Sequence, residues 1–366
     1  MQGPHSHQRR PRLAFVGSMV GRHPGHITQQ GQVLSDLFAE SGYHVISVSS
    51  FLNRYRRLAD IISTLIRRRD EIDIMVIEVY GGPSFVMEDI ASWLGKRLRK
   101  RIVMWLHGGA LPEFMARFPS WSKRVFSRAD LIVTPSDFLA RSVAGLGFRS
   151  RVIPNIIQLP LYPYRLRRSV SPRLFWMRNI QQIWNPLMAI RTLARLRNRF
   201  PDASLVMAGP DKGMKDEVEQ TARSMGLGGS VRFTGFLDAS GKIRGGGAAD
   251  IYINTNRIDN TPVAVVEAGA MGLPVVTTNV GGIPDLLVDG DTGLFVSDDD
   301  DKAMSEAICH LIENPELAER LSRNGRRLAE RFAWDEVRPQ WQQLFAELAG
   351  DRLEESPVFS YFSSTP

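Results

Sequence analysis

Short apolar segments alternate with longer amphipathic stretches along the first 160 residues. The apolar segments are rich in Val, Ile and Leu, which is typical of buried strands. They cover residues 13–18, 45–50, 72–80, 102–107, 131–136 and 152–154. Apolar positions with helical spacing lie between them, near residues 26–41, 55–69, 84–98, 112–128 and 137–145. Such repeated alternation predicts a mostly parallel sheet with helices on both faces.

A proline-dotted segment at residues 154–172 interrupts this alternation and is interpreted as a linker. The pattern then starts again, with apolar segments at 174–177, 205–209, 231–235, 251–255, 274–278 and 294–296. Helical spacing is found near residues 186–199, 214–225, 262–272, 301–312, 315–331 and 335–349. The chain is therefore predicted to be an α/β protein with two tandem Rossmann-like domains that face each other across a cleft.

Two domains also agree with the length of 366 residues, which exceeds what one hydrophobic core of ordinary size holds. The predicted boundaries are 1–160 for the first domain, 161–331 for the second and 332–350 for a final helix. The tail at 351–366 has no periodicity and is expected to be mobile.

The composition indicates a globular protein in a reducing compartment. Apolar residues make up 43% and charged residues 23% of the chain. The single cysteine, Cys309, excludes a disulfide framework and a cysteine-built metal site. Residues 1–12 lack the apolar core of a secretory signal, and no apolar run approaches the roughly 20 residues of a membrane span. We expect a cytoplasmic protein, or one bound peripherally to the cytoplasmic face of the membrane.

Positive charge is concentrated in the first half. Residues 1–170 contain 25 Lys and Arg against 12 Asp and Glu, a net charge of +13, whereas the rest of the chain carries −6. Basic clusters at 54–57 and 67–69 flank the apolar stretch of the predicted helix at 55–69, and the apolar residues of this stretch share one face. Such a helix can lie on an anionic bilayer, and the alternative is that its apolar stripe packs on the chain's own sheet. Nucleic acid is not expected, because apart from Tyr55 the clusters lack interleaved aromatic residues and no DNA-binding motif is visible.

A carboxylate, Glu267, stands in an otherwise apolar stretch that predicts a buried helix followed at once by a strand. Burying an unpaired carboxylate is costly, so Glu267 needs a partner. Its helix begins just beyond a strand end, where open parallel sheets present ligand-binding crevices. A hydroxyl-rich ligand is one candidate partner, and an ion pair within the protein is the other.

A dinucleotide cofactor is not expected, although the predicted fold could hold one. The first strand–helix turn contains Gly17 and Gly21 without the G-x-G-x-x-G pattern. The second strand ends in two serines instead of the acidic residue that holds an adenosine ribose. The acidic run at 298–301 is interpreted as a helix cap and solvated surface, so no metal site is predicted.

The second half resembles the donor-binding domain of glycosyltransferase family 4, the retaining GT-B transferases. The matching residues lie at 250–259, 262–276 and 281–282, with further likeness at 231–235, 290–296 and 334–348. In the first half, residues 106–109, 133–136 and 152–155 resemble the family at strand ends. The resemblance implies a GT-B fold whose final helix returns to the first domain. It also implies a retaining, metal-independent transferase without a cofactor.

The resemblance further implies a nucleotide-diphosphate sugar as donor and a glycan, a lipid-linked molecule or a small molecule as acceptor, in glycan or glycolipid biosynthesis. In this family two acidic residues separated by seven others contact the donor. Glu267 matches the second and would hold the ribose hydroxyls, and Asp259, where a Glu is usual, matches the first and would face the sugar hydroxyls. The other donor-binding positions that the resemblance implies are Gly21, Gly25, Asn260, Thr261, Pro262, Val263 and Ala264. The amides of the last two would point at the donor phosphate.

Two further residues are assigned by the resemblance. Arg178 matches an arginine that clamps the diphosphate, and His107 matches a histidine that faces the donor sugar. The alternatives are a surface arginine and a core histidine, and for Asp259 a plain turn residue. A lysine that the family places shortly after this arginine has no counterpart among residues 179–186. A non-catalytic binding subunit and a sugar-nucleotide epimerase of the same fold are therefore the alternative functions.

Overall fold

The first half of the chain contains a six-stranded parallel sheet. A computed structural model describes residues 10–21, 23, 26 and 28–350, so the tail at 351–366 lies outside the described residues. The strands of this sheet are β1 (Leu13–Val16), β2 (Val45–Val48), β3 (Ile74–Val79), β4 (Arg101–Leu106), β5 (Leu131–Thr134) and β6 (Arg151–Val152). Their order in the sheet is β2-β1-β3-β4-β5-β6.

Helices cover both faces of this sheet. They are α1 (Gln30–Glu40), α2 (Arg54–Arg67), α3 (Phe85–Arg97), α4 (Leu111–Arg117), α5 (Pro119–Phe126) and α6 (Asp137–Gly145). One face packs against α1, and the opposite face packs against α2, α3, α5 and α6. The central strand β3 is buried along its whole length, as parallel strands covered on both faces are.

The second half repeats this plan. Its strands are β7 (Arg173–Met177), β8 (Ser204–Ala208), β9 (Val231–Gly235), β10 (Ile251–Asn254), β11 (Val275–Thr278) and β12 (Leu294–Val296), in the order β12-β11-β10-β7-β8-β9. Its helices are α7 (Pro186–Arg197), α8 (Lys215–Ser224), α9 (Ala239–Ala248), α10 (Val263–Ala270), α11 (Ile283–Leu286), α12 (Asp301–Glu313), α13 (Pro315–Glu330) and α14 (Trp334–Ala349). The prediction of an α/β protein with two Rossmann-like halves is confirmed.

The last helix, α14, packs against the first sheet although it follows the second in sequence. Trp341 and Phe345 are fully buried there, with Trp341 at 5.1 Å from the ring of Trp105 and Phe345 at 5.2 Å from the ring of Phe38. Burial of large aromatic side chains is strongly stabilising, so α14 ties the end of the described chain to the first half.

Two elements differ from the predicted pattern. The helix expected at 112–128 is divided into α4 and α5 at Phe118, because the residue before a proline disfavours helical backbone. Helix α9 was not predicted, because its three consecutive glycines, 245–247, oppose helix formation. Packing explains two of them: a side chain at Gly245 would press on Phe175, and one at Gly246 would overlap Met271. The glycines let the helix approach its neighbours closely.

The apolar stripe of helix α2 packs mainly on the chain's own sheet, which was the alternative to contact with a bilayer. Ile61 and Leu65 are buried against the first sheet and α3. Residues at the ends of the helix remain outside this contact, since Tyr55 and Ile66 are exposed. The stripe therefore packs mainly on the chain's own core, and a smaller apolar surface is left near Tyr55.

Arg167 anchors the linker between the halves to two helix ends. Its buried guanidinium donates to the carbonyl oxygens of Gly246 at 2.9 Å and Ala249 at 3.2 Å, and to that of Met271. These carbonyl groups lie at the carboxyl ends of α9 and α10. The last C=O groups of a helix have no partners within the helix. Burial lowers the pKa of Arg167 to about 10, so the side chain remains charged at neutral pH.

Replacing Arg167 by methionine is expected to reduce the free energy of unfolding by roughly 3 kcal/mol, because several buried carbonyl oxygens would lose a charged donor. Urea unfolding followed by circular dichroism measures the change. Arg168→Met, which removes the exposed neighbouring arginine, is the control. Equal losses in the two variants would contradict the anchoring role.

Candidate active site

A cavity of about 860 Å³ lies between the two halves at the carboxyl ends of both sheets. The first half contributes residues from the loop before α1 and from α1 itself, and the linker contributes Gln158 and Tyr162. The second half contributes Arg178, Trp184 and the start of α10. This is the position at which open α/β sheets bind ligands.

Glu267 lies in the wall of this cavity and is held by two protein groups. Its Oε1 accepts a hydrogen bond from the Tyr162 hydroxyl at 2.7 Å. The Lys242 ammonium donates to Oε1 at 2.8 Å and to Oε2 at 3.1 Å. The carboxylate is therefore buried and ion-paired within the protein, and it also lies at the edge of a ligand-sized space. Its binding of a hydroxyl-rich ligand stays a prediction.

Arg178 and Asp259 form a partly buried ion pair at the same cavity. Nη2 of Arg178 donates to Oδ2 of Asp259 at 2.6 Å, and the guanidinium lies 4.9 Å from the ring centre of Trp184. Asp259 also accepts from the Asn256 amide at 2.7 Å. Burial raises the pKa of Asp259, and the nearby positive charge of Arg178 opposes that rise. Nε of Arg178 has no hydrogen-bond partner among the described residues.

The first turn of α10 faces the cavity between these two charged sites. Val263 and Ala264 line the space, and their amides belong to the first turn, where N–H groups lack helical partners. Pro262 immediately precedes the helix, in the capping position. The helix N-terminus thus presents partial positive charge to the cavity.

Asn260 and Thr261 contact the first half. The Asn260 side chain is hydrogen-bonded to the Ser136 hydroxyl, and the Thr261 hydroxyl donates to the Pro135 carbonyl oxygen at 3.4 Å. Both residues are buried and neither lines the cavity in this conformation. Their donor-binding role stays a prediction.

Glycines allow this loop to pack closely on both sides. A side chain at Gly109, just after β4, would lie 2.9 Å from the Cα of Asp259. Side chains at Gly281 and Gly282 would overlap the carbonyl oxygens of Asp259 and Asn260. Gly281 and Gly282 therefore form a turn that supports the loop.

Two glycines of the first loop, Gly21 and Gly25, were predicted to bind the donor. Gly21 lines the cavity, and its amide donates to Oε1 of Gln32 at 2.9 Å. Gly25 lies outside the described residues.

His107 directly follows β4 and is buried next to the cavity instead of lining it. Its ring stacks on Tyr80 with centroids 5.1 Å apart and lies 4.4 Å from the ring of Trp105. Burial lowers the pKa of His107 to about 3, so the imidazole is neutral at physiological pH. Its Nε2 faces Glu78, at 3.7 Å from Oε1.

Three residues in or near the cavity wall were not predicted from the sequence: Lys242, Tyr162 and Glu78. Lys242 lies on α9, the helix that the glycine run concealed, and Tyr162 lies in the segment interpreted as a linker. Glu78 carries the signal that pointed to Glu267, a carboxylate in an apolar run, but its run was interpreted only as a strand. Applying that signal to every apolar segment identifies Glu78.

Two features are absent from the described residues. No group of three or more His, Cys, Asp or Glu side chains is placed to hold a metal ion among them. In the same part of the chain, no helix has the length and apolarity needed to cross a membrane.

Both halves match models of known protein families. Residues 27–160 match the model described as Glycosyltransferase Family 4, and residues 171–328 match the model described as Glycosyl transferases group 1. The two matches together cover the second sheet, the first sheet except β1, and most of the residues that line the cavity between them.

Curated relatives are similar over part of their length. Glycogen synthase of Mycobacterium tuberculosis is 27% identical over 256 residues, which is 68% of this chain and 60% of that protein. Phosphatidyl-myo-inositol mannosyltransferase of Mycobacterium leprae is 28% identical over 250 residues, or 65% of this chain and 64% of that protein. The matches thus span a little under two thirds of these relatives.

Solved structures share the fold. Anabaena HepE in complex with UDP-glucose has a TM-score of 0.74 at 18% identity, covering 92% of this chain and all of that chain. Sucrose-phosphate synthase from Thermosynechococcus elongatus has a TM-score of 0.76 at 18% identity, covering 93% and 99%. At this identity the likeness concerns the fold alone.

Two buried carboxyl groups of the first half, Glu78 and Glu88, generate a prediction about pH. Burial raises the pKa of Glu78 to about 7 and that of Glu88, whose Oε1 accepts from the Tyr80 amide at 3.3 Å, to about 8. Between the ordinary carboxyl pKa of 4.5 and these values, the folded protein holds more protons than the unfolded chain. Stability therefore falls as pH rises through this range.

We expect the free energy of unfolding to fall by roughly 3 kcal/mol or more from about pH 5 to about pH 8. The double variant Glu78→Gln/Glu88→Gln should lose most of this decline, because amides do not titrate. Urea unfolding at a series of pH values measures both profiles, with the single variants as intermediates. Parallel profiles for the wild type and the double variant would refute the assignment.

Proposed function

The chain belongs to glycosyltransferase family 4, and on this premise we propose that it transfers a sugar from a nucleotide-diphosphate sugar to an acceptor, with retention of anomeric configuration. The observation that carries the proposal is the cavity wall itself. Three groups surround one space between the halves: the carboxylate of Glu267, the N-terminus of α10 and the guanidinium of Arg178. These groups suit a ribose, a phosphate and a second phosphate respectively.

Arg178 is preorganised for anion binding in this proposal. Its guanidinium is held by Asp259 on one edge and by the Trp184 ring, while Nε lacks a partner among the described residues. A diphosphate would accept from this unused donor and from the first amides of α10. A fixed guanidinium loses little side-chain freedom when the ligand arrives.

The proposed reaction needs no protein nucleophile. The leaving phosphate takes the proton from the acceptor hydroxyl while the new glycosidic bond forms on the same face of the sugar. The chain's contribution is to position the donor and to stabilise the phosphate charge that develops, through Arg178 and the α10 amides. Because these groups supply positive charge, we also propose that the reaction does not require a metal ion.

The absent family lysine is the observation that favours a non-catalytic binding subunit as the second candidate. Residues 179–186 contain no lysine, and Trp184 in this segment stacks on Arg178. Lys242, in the wall of the same cavity, is a different source of positive charge. Turnover measurements separate the two candidates, and conversion of the donor without an acceptor would indicate an epimerase.

Glu267→Ala is expected to weaken donor binding roughly 10- to 100-fold, because hydrogen bonds from ribose hydroxyls to a charged carboxylate would be lost. Isothermal titration calorimetry with a panel of nucleotide-diphosphate sugars, beginning with UDP-glucose, measures the affinity. Glu306→Ala, which removes an exposed glutamate of α12, is the control.

Three outcomes of this experiment are informative. Unchanged affinity in Glu267→Ala would refute the site assignment. Binding without transfer or hydrolysis across many acceptors would favour the binding subunit. Saturable binding together with product formation, lost in Glu267→Ala but not in Glu306→Ala, would support the proposed transferase.

We also propose that the acceptor is anionic and lies at a membrane surface. The segment after β2 exposes Phe51, Leu52 and Tyr55 to 45%, 50% and 69%. Arginines at 54, 56 and 57 accompany them. The segment lies at the carboxyl edge of the first sheet, and the carbonyl oxygen of its neighbour Ser50 is 2.8 Å from a ring nitrogen of His23, a cavity residue. Apolar and basic side chains together suit an anionic bilayer.

We expect the protein to float with vesicles that contain phosphatidylglycerol and to remain in solution with phosphatidylcholine vesicles. Leu52→Ser/Tyr55→Ser should reduce flotation severalfold, because these exposed apolar side chains would no longer enter the bilayer interface. The control is Met225→Ser/Val288→Ser, which removes exposed apolar side chains from the second half. Protein that stays wholly in the soluble fraction with both vesicle types would contradict membrane contact.

A further inference from the structure

Glu78 is a buried carboxyl group without a cationic partner in the described part of the chain. It occupies β3, where all six residues are buried, and its side chain is inaccessible to solvent. Oε1 accepts from the Gly31 amide at 2.7 Å, at the start of α1, while Oε2 has no hydrogen-bond partner among the described residues. A carboxyl group in this setting costs stability, so its presence points to a role beyond packing.

Two glycines make room for this carboxyl group. A side chain at Gly17, just after β1, would lie 2.2 Å from Oε2, and one at Gly31 would lie 2.3 Å from the carboxyl carbon. Any larger residue at either position would overlap Glu78. The surrounding backbone is thus shaped around the carboxyl group, which argues against an incidental placement.

Among the described residues, the basic side chain that lies within 4 Å of Glu78 is that of His107. Oε1 of Glu78 and Nε2 of His107 are 3.7 Å apart, both side chains are buried, and Nε2 has no hydrogen-bond partner among the described residues. Side-chain hydrogen bonds in ligand-free sites are often longer than in the complex with substrate. The distance is therefore close enough for a contact that tightens when the cleft closes on a donor.

We propose that Glu78 is a positioning residue for His107, and that its carboxyl group determines which ring nitrogen of the imidazole carries the proton. A protonated carboxyl group donates to Nε2, which leaves the imidazole proton on Nδ1. An ionised carboxylate accepts from Nε2–H instead. The consequence for catalysis rests on the proposed function, in which His107 faces the donor sugar.

The exchange between the two arrangements falls in the physiological pH range. Burial raises the pKa of Glu78 to about 7, and burial keeps the imidazole neutral. The other titratable groups near Glu78 are Tyr80, whose hydroxyl is 3.5 Å from Oε1, and Glu88, which acts through its charge. Burial also raises the pKa of Tyr80, so Tyr80 does not titrate in this range.

The experiment is a pH titration of His107 by nitrogen-15 NMR on histidine-labelled full-length protein without ligand. The His107 signals are identified by their loss in His107→Gln. We expect the two ring nitrogens of the wild type to shift in opposite directions with an inflection near neutral pH, and Glu78→Gln to remove the inflection because an amide does not titrate. Ring nitrogens that shift identically in both proteins at every pH would overturn the proposal.

The matched control is Glu88→Gln, which replaces by an amide a buried carboxyl group that does not contact His107. It should retain the inflection. Steady-state kinetics add a second readout, in which Glu78→Gln is expected to lower kcat about tenfold with little change in donor KM. If Glu88→Gln lowered kcat as much as Glu78→Gln does, the loss would be due to any change among the buried carboxyl groups. That result would overturn the positioning role of Glu78.

The outcomes also separate this proposal from the proposed function. The NMR titration needs no donor, so an inflection coupled to Glu78 would stand even if no nucleotide sugar were turned over. Conversely, transfer activity with a His107 titration independent of Glu78 would leave the function intact and remove the positioning role. If Glu78→Gln does not fold, the wild-type titration still decides, because the absence of an inflection near neutral pH overturns the proposal.

Discussion

The close packing of the loop at Asp259 and Asn260 between glycines is the constraint on which the site depends. Gly109 comes from the first half and Gly281 from the second, and neither position has room for a side chain. The loop continues into α10, so its position also fixes the helix N-terminus that faces the cavity. The hydrogen bond between Asn260 and Ser136 then joins the two halves at the same place. Backbone contact of this kind transmits any relative movement of the halves directly to the cavity wall.

Three buried carboxyl groups lie in or near the site, and each has different partners. Asp259 is paired with Arg178, and Glu267 is paired with Lys242 and hydrogen-bonded to Tyr162. Glu78 accepts a backbone amide and meets no cation among the described residues. A neighbouring cation favours the charged form of a buried carboxyl group, whereas isolation from cations favours the neutral form. Burial accordingly raises the pKa of Glu78 to about 7. Buried acids in different electrostatic settings thus lie around one cleft, a distribution typical of functional sites.

The sequence predicted the two sheets because buried parallel strands form continuous apolar runs, and these runs are clear in both halves. It also predicted that Glu267 lies beside a cleft, since an acid in an apolar helix is costly to bury and the helix follows a strand end, where such sheets open. Lys242 was not predictable, because the glycines that follow it oppose helix formation unless Phe175 and Met271 lie close by, and that is a tertiary fact. The separation of His107 from the cavity is likewise a matter of packing between Tyr80 and Trp105.

The contacts of Glu267 show how an ion pair can coexist with ligand binding. A carboxylate offers about four acceptor positions, and Tyr162 and Lys242 together occupy three, two on Oε1 and one on Oε2. A ribose diol donates two hydrogen bonds, so one existing contact must open when it binds under the proposed function. The longest is the 3.1 Å bond from Lys242 to Oε2. Its opening would leave the ammonium beside the ribose with unused donors, near the negative charge of the diphosphate. The cleft would then gain, from α9, a positive charge that the segment after Arg178 does not supply.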